Sequence, residues 1–352
     1  MKENLRKQEN EILNNIITIS KFNITSNIEI TKAREVQKLM IQIGLETPII
    51  DPAGNVVFKI EGEDENKNLI ITSKIGISLE EKEIFLTQER IMGSGISESV
   101  GINALVLLGS LLKKEKMNHN IYLVVTTDKY NQYTGMDYFF KNFVNKINGV
   151  INLSGLNLGD LVNEIDASIL LKIKLKRKNE YQKNNILFGI STLVNKLKEE
   201  NILKDTSLKF YDIRTKSDYI KTIDCGEIKI EIKNTSLKKL SEVENIIKNI
   251  SKGVSLEENV NIEIEKLTRH EAITNANDKL KKIFFEVAKE LNIKTNIKKE
   301  ENQIRIPLSK EIDAISIGIT VGGKEKEEYI EINPIYTGIK QAYSLITKFD
   351  KE

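Results

Sequence analysis

The residues best placed for chemistry lie in one stretch, Arg90 to Lys114. There a glycine-spaced turn, Gly93-Ser94-Gly95, runs through Ile96-Ser97-Glu98-Ser99 into the apolar segment Gly101 to Leu112. A helix that starts there has free N–H groups in its first turn. Ser97 or Ser99 can cap them, and Glu98 suits the positive end of the helix dipole. Gly93-x-Gly95 before a helix also resembles a phosphate cradle, but it lacks both the P-loop lysine and the strand that precedes a dinucleotide fingerprint. A helix N-terminus just outside a sheet is where an α/β protein usually keeps its site.

Composition narrows the chemistry further. The 352 residues are about right for two cores. With 53 Lys plus Arg against 51 Asp plus Glu, the net charge is +2, and there is no global field to draw in nucleic acid or an anionic membrane. The lone Cys225 excludes an internal disulfide and a cysteine-rich zinc site, fits a reducing cytoplasm, and reads as a small strand residue. His119 and His270 are the only histidines, so a histidine-rich metal centre is excluded. His119 reads as a surface loop residue and His270 as a residue at a domain junction. The start, Met1 to Arg6, does not read as a signal peptide, and the apolar runs fall far short of the ~20 residues of a membrane span. These features predict a soluble cytoplasmic protein.

The elements that must position the Arg90–Lys114 stretch follow from periodicity. Helices are expected over 1–20 and 32–43, the second stopped by Gly44. Strands are expected at 56–60, 69–72, 121–127 and 150–153, with tips at 73–76, 128–130 and 154 that alternate with helices. That is the pattern of a largely parallel sheet with its site at the carboxyl edge. The acidic run Glu61 to Glu65 reads as a solvated connection. From about Asp166 the order changes to strand 168–176, helix 184–200, strands 206–213 and 227–233, helix 236–251 and strand 258–267. This βαββαβ order is a ferredoxin-like unit, read as a domain at 166–269 inserted into a discontinuous α/β domain at 1–165 and 270–352. The first pattern then resumes with helix 276–291, a strand near 302–307, the apolar run 314–321 and helix 334–349.

With these elements in place, the chain resembles the M20 family of zinc-dependent exopeptidases and amidohydrolases, the peptidase T-like branch in particular. Ile70-Ile71-Thr72-Ser73-Lys74-Ile75-Gly76 stands where the family has an apolar strand followed by His-x-Asp. Gly95 to Ile102 resembles Gly-Ala-Asp-Asp-Lys-Ala-Gly-Ile. Val124 to Tyr130 is similar to the strand that ends in a Glu-Glu pair, Leu153-Ser154-Gly155 to Leu-Asp-Gly, and Gly322 to Ile330 to Gly-x-His followed by Glu-Tyr-Ile. The resemblance implies a zinc-exopeptidase-like α/β domain with a ferredoxin-like lid or dimerisation domain, and a homodimer formed through that insertion.

It also implies a lost site. Lys74 stands at the first metal histidine and Gly76 at its carboxylate partner. Ser97, or Glu98 with a one-residue shift, stands at the bridging Asp. Lys129 and Tyr130 replace the Glu-Glu pair, Ser154 the later Asp, and Lys324 the final histidine. In the lid, Lys233 of Glu231-Ile232-Lys233 stands where Glu-x-Arg would contact a substrate carboxylate, and the lid histidine motif has no counterpart. A lysine ammonium offers no lone pair and accepts no proton at neutral pH, so these substitutions remove both the zinc ligands and the general base. The expectation is a non-catalytic M20-like protein that needs no cofactor, keeps its scaffold for binding or assembly, and takes a small anion such as a peptide carboxylate. The alternative is an active metal-dependent exopeptidase or amidohydrolase acting on short peptides, with zinc held by Glu98, Asp128, Asp160 and Glu328. A third reading is an interaction protein whose pocket is filled by side chains, with Tyr130 packed into the cleft. Lys324 to Glu328 reads equally as a solvated charged turn or as part of the pocket.

Overall fold

The structure, a computed structural model, describes residues 9–21, 28–75, 83–128, 133–178, 186–199, 206–216, 225–275, 277–324 and 328–352. The chain divides into two compact units, 1–164 with 274–352, and 165–273.

In the first unit the elements before the insertion are α1 (Glu9–Lys21), α2 (Ile28–Gln42), β1 (Ile49–Ile50), β2 (Val56–Ile60), β3 (Asp64–Lys74), β4 (Phe85–Leu86), β5 (Arg90–Met92), α3 (Ile96–Leu112), β6 (His119–Thr126), α4 (Thr134–Asn142), β7 (Gly149–Leu156) and β8 (Asp160–Val162). The short strand β9 (Glu164–Ile165) leads out of the unit. The second unit holds β10 (Ala167–Arg177), α5 (Ile186–Glu199), β11 (Ser207–Lys216), β12 (Cys225–Asn234), α6 (Leu237–Glu257) and β13 (Val260–His270). After β14 (Ile273–Thr274) the first unit resumes with α7 (Lys279–Glu290), β15 (Asn296–Lys298), α8 (Arg305–Leu308), β16 (Ala314–Thr320), β17 (Gly322–Lys324), β18 (Glu328–Glu331) and α9 (Ile332–Lys351).

The main sheet of the first unit runs β1-β2-β6-β3-β7-β16-β8-β15. Its four central strands, β6, β3, β7 and β16, are mutually parallel. They are apolar on both faces, as a sheet covered on both sides requires. Helix α3 is buried almost all round and packs against β3, β7, α1 and α9, which explains an apolar sequence with little sidedness. Close approach of helix and strand is achieved with glycine. A Cβ on Gly101 would lie 2.6 Å from the carbonyl oxygen of Leu153, and one on Gly155 would lie 1.6 Å from that of Ser97. The tip of β7 is thus pressed against the first turn of α3.

The second unit has the sheet order β11-β12-β10-β13, antiparallel throughout, which is the ferredoxin-like topology. Its core places Ile169, Leu171, Ile173, Ile228, Ile230 and Ile232 with residues of α5 and α6. Cys225 is a free, half-buried thiol opening β12. Among the described residues no helix is long and apolar enough to cross a membrane.

Two local expectations are corrected. The strand read near 302–307 is a turn followed by the short helix α8, and the strand lies earlier, at β15. Ile304 and Leu308 are both buried and four residues apart, and Arg305 pairs with Glu301 at 2.6 Å over the same spacing, a helical rather than an extended pattern. His119 is not a surface loop residue: it is 3% exposed and opens β6. Asp350 near the end of α9 accepts from the backbone N–H of Asn118 at 3.0 Å and of His119 at 2.7 Å, and its carboxylate lies 3.0 Å from His119 Nδ1. This cluster fastens the last helix to the start of β6.

Candidate functional site

The four parallel strands deliver the tips Ser73-Lys74, Thr126-Thr127-Asp128, Ser154-Gly155 and Gly318-Ile319-Thr320 to one edge, beside the N-terminus of α3. A cavity of about 320 Å³ opens there. Its wall includes Ser73, Lys74, Ser97, Glu98, Asn152, Ser154, Asp160, Lys298, Glu300, Glu301, Asn302, Gln303 and Ser316. Of the residues read as lost ligands, Lys74, Ser97, Glu98 and Ser154 share this cavity. Gly76, Lys129, Tyr130 and the side chain of Lys324 lie outside the described residues. Lys233 belongs to β12 of the second unit, where its ammonium lies 3.3 Å from Glu231.

Lys74 is held between two carboxylates. Its Nζ lies 3.4 Å from Asp128 Oδ2 and 3.7 Å from Glu98 Oε1. The Asp128 side chain is only 3% exposed, and its other oxygen accepts from the backbone N–H of Tyr133 at 2.7 Å. An ammonium therefore sits where two acids converge.

The N-terminus of α3 is closed differently from the sequence expectation. Gly95, in the left-handed conformation at φ 75°, is the N-cap, and no side chain of its own segment caps it. Instead Glu328, arriving on β18, accepts from the backbone N–H of Gly95 and of Ser97, each at 2.9 Å, and from Ser97 Oγ. Ser99 Oγ turns back to donate to the carbonyl oxygen of Gly95. Glu328 is therefore not a residue of a solvated turn, and the amides that make Gly93-x-Gly95 resemble a phosphate cradle are committed to an internal carboxylate.

The four acids of the alternative ligand set are also dispersed. Glu98 and Asp128 face Lys74, Glu328 caps α3, and Asp160 lies 3.2 Å from Asn296 Nδ2 and 3.7 Å from Lys298 Nζ. Among the described residues no group of three or more His, Cys, Asp or Glu side chains could hold one metal ion.

Burial pushes the Glu98 carboxyl above its ordinary value of 4.5, the nearby Lys74 and Lys32 offset part of this, and Glu328 adds to it. A carboxyl whose folded-state value is raised contributes stability that is complete below about pH 4.5 and is lost as pH rises through the folded-state value. Glu98→Gln is expected to abolish that loss. In thermal melts at matched ionic strength, the wild type should fall progressively behind the variant as pH rises above the ordinary value of 4.5. Parallel pH profiles for the two proteins would show that Glu98 titrates as it does in the unfolded chain.

Sequence reasoning missed the polar layer beneath the cavity. Thr72, Thr126, Asn152 and Ser316, from β3, β6, β7 and β16, are buried together with Gln303 from the turn before α8. The available signal was a polar residue in each strand run, two to four residues before the end of β3, β7 and β16 and at the last position of β6. Among the described residues Gln303 is a side chain buried at this edge of the sheet; Tyr130, to which the sequence reading tied the filling of the pocket, lies outside them.

No protein-family model and no curated protein sequence matches the chain. Among solved structures it is similar to a tripeptidase from Staphylococcus aureus, at 14% identity over 98% of this chain and 99% of that one, with TM-score 0.78. It is also similar to YXEP of Bacillus subtilis, described as a dinuclear metal-binding peptidase of the M20 family, at 11% identity over 98% and 99% with TM-score 0.68. An amidase of the hydantoinase/carbamoylase family from Burkholderia vietnamiensis is similar at 9% identity over 98% of each chain, with TM-score 0.75. At these identities the likeness is one of fold.

Proposed function

We propose that this chain, which has the M20 peptidase fold, has given up zinc-dependent hydrolysis and keeps the scaffold for binding or assembly. The observation that carries the reading is the Lys74 ammonium between Glu98 and Asp128 at a parallel-strand tip. A divalent cation placed between those carboxylates would have to displace or neutralise a fixed positive charge a few ångströms away, at a repulsion of roughly 8 kcal/mol for a +2 ion at an effective dielectric constant of 20. The rest of the donor set fits zinc no better. Ser97 spends its hydroxyl on Glu328, and Ser154 offers a neutral hydroxyl where a charged ligand is needed. These residues do not suit the ion.

The assembly part of the reading concerns the second unit. Its outer strands β11 and β13 have no further strand beside them among the described residues, and such edges invite pairing. We place a homodimer there, in a cytoplasmic protein whose single thiol needs no oxidising compartment.

Metal content is the direct test of the loss of zinc. Purified protein is incubated with excess zinc, manganese or cobalt, desalted, and assayed for metal and for dipeptide and tripeptide hydrolysis. Well under one ion per chain and no turnover above background are expected. Near two ions per chain with turnover would establish the active hydrolase instead.

A further inference from the structure

Beneath the open cavity a smaller crevice in the polar layer of the central strands is filled, and its occupant is a primary carboxamide. Gln303 is 3% exposed. Its Oε1 accepts from Thr126 Oγ1 at 2.5 Å, and its Nε2 donates to Asn152 Oδ1 at 2.5 Å and to Thr72 Oγ1 at 3.2 Å. The receiving groups are themselves fixed: Thr72 Oγ1 donates to Asn152 Oδ1 at 3.1 Å, and Asn152 Nδ2 donates to Ser316 Oγ at 2.8 Å. One donor on one side and two acceptors on the other thus surround a planar group that accepts at one end and donates twice at the other. A carboxylate or a ketone brings no donor to Asn152 Oδ1 and would leave that buried acceptor facing a lone pair, whereas the Thr72 hydroxyl can itself donate. The selectivity is for a carboxamide.

The segment that presents Gln303 spends neighbouring side chains on itself. Glu301 forms two hydrogen bonds of 2.6 Å with Arg305, and Asn302 Oδ1 accepts from the N–H of Ile304 at 2.9 Å. Asn152, Ser316 and Gln303 all reach the wall of the adjoining cavity, so a small molecule entering from solvent meets the same hydrogen-bonding groups. We propose that this crevice is a binding site for primary carboxamides, occupied in cis by Gln303 and opened to a free carboxamide-bearing small molecule when the segment 299–304 lifts away. The inference rests on the binding reading of the same edge of the sheet and names its ligand class; Gln303 acts as a competing internal ligand.

Chemical rescue tests it. Gln303→Ala in the full chain removes an acetamide-sized group, and its melting temperature is expected to fall by about 5 °C as residues of three strands lose their shared partner. Acetamide at about 0.1 M is expected to restore roughly half of that loss by mass action, and sodium acetate and acetone at the same concentration are not. Equal recovery with all three additives, or recovery with none, would overturn the proposal. If the variant does not fold, the wild type carries the test. Hydrogen exchange in residues 299–308 should then accelerate about twofold with acetamide and not with acetate as Gln303 is displaced, and an unchanged rate would sink the idea. Metal content is read separately. A metal-free chain without rescue removes only the carboxamide site, and a zinc-loaded active chain with rescue removes only the non-hydrolytic reading.

Discussion

Glu328→Ala is expected to lower stability by about 3 kcal/mol, because it strips three donors of their acceptor at once. The carboxylate takes the backbone N–H of Gly95, the backbone N–H of Ser97 and the Ser97 hydroxyl. It also places a negative charge at the positive end of a 17-residue helix that forms the centre of the first unit's core. Without it the N-terminal turn of α3 has no side-chain cap, since Ser97 and Ser99 both point their hydroxyls elsewhere. Glu328→Gln keeps a planar acceptor and loses the charge, so it should recover about half of the deficit. Glu331→Ala, three residues on, removes an exposed carboxylate 3.8 Å from Arg90 and should cost under about 0.5 kcal/mol. Urea unfolding of the three variants gives the ranking. A Glu328→Ala loss no larger than that of Glu331→Ala would mean that solvent satisfies the helix end and that the cap contributes nothing.

Lys74→Ala should cost about 2 kcal/mol, a figure kept low because the Lys74 and Glu98 side chains are 30% and 37% exposed. The loss comes chiefly from Asp128, which stays buried and charged with its cation gone. A double variant with Asp128→Asn removes that uncompensated charge while keeping an oxygen for the Tyr133 N–H, and should recover more than half of the loss. Strict additivity of the two substitutions would show that the ammonium and the buried carboxylate are not coupled. Lys74→Ala also vacates the space between two acids. Manganese at about 1 mM should therefore raise the melting temperature of the variant and leave that of the wild type unchanged. A shift in both proteins would mean that the ammonium does not keep a divalent cation out, and it would weaken the non-hydrolytic reading.

Much of the architecture is legible in the sequence because it follows from local pattern. Short continuous apolar runs mark the parallel strands β3, β6, β7 and β16, and alternation marks the inner strands β10 and β12 of the second unit, where inward and outward positions differ in burial and polarity. The 302–307 segment reads as a strand because Ile304, Ile306 and Leu308 occupy alternate positions. The burial of Ile304 and Leu308 and the Glu301–Arg305 pair select a helical turn instead. His119 misleads for a related reason: its neighbours Asn118 and Asn120 are polar, and its own partner is Asp350, 231 residues further along the chain.

The sequence by itself determined which side chains stand at the strand tips. Lysine and serine stand where the resemblance drawn from the sequence expects imidazole and carboxylate, and no folding of the chain can give an ammonium a lone pair to donate. The sequence also determined that α3 begins at a glycine turn among the strands, since that is written in adjacent residues. Only the tertiary structure decided what satisfies those groups. By local pattern Glu328 is equally at home in a solvated turn, and Gln303 is an ordinary strand residue. The pairing of Lys74 with Glu98 and Asp128 spans 24 and 54 positions, that of Glu328 with Gly95 spans 233, and that of Gln303 with Thr126 spans 177. Hydrogen bonds and ion pairs depend on distance and direction in space, and helix and strand periodicity constrain neither across such separations.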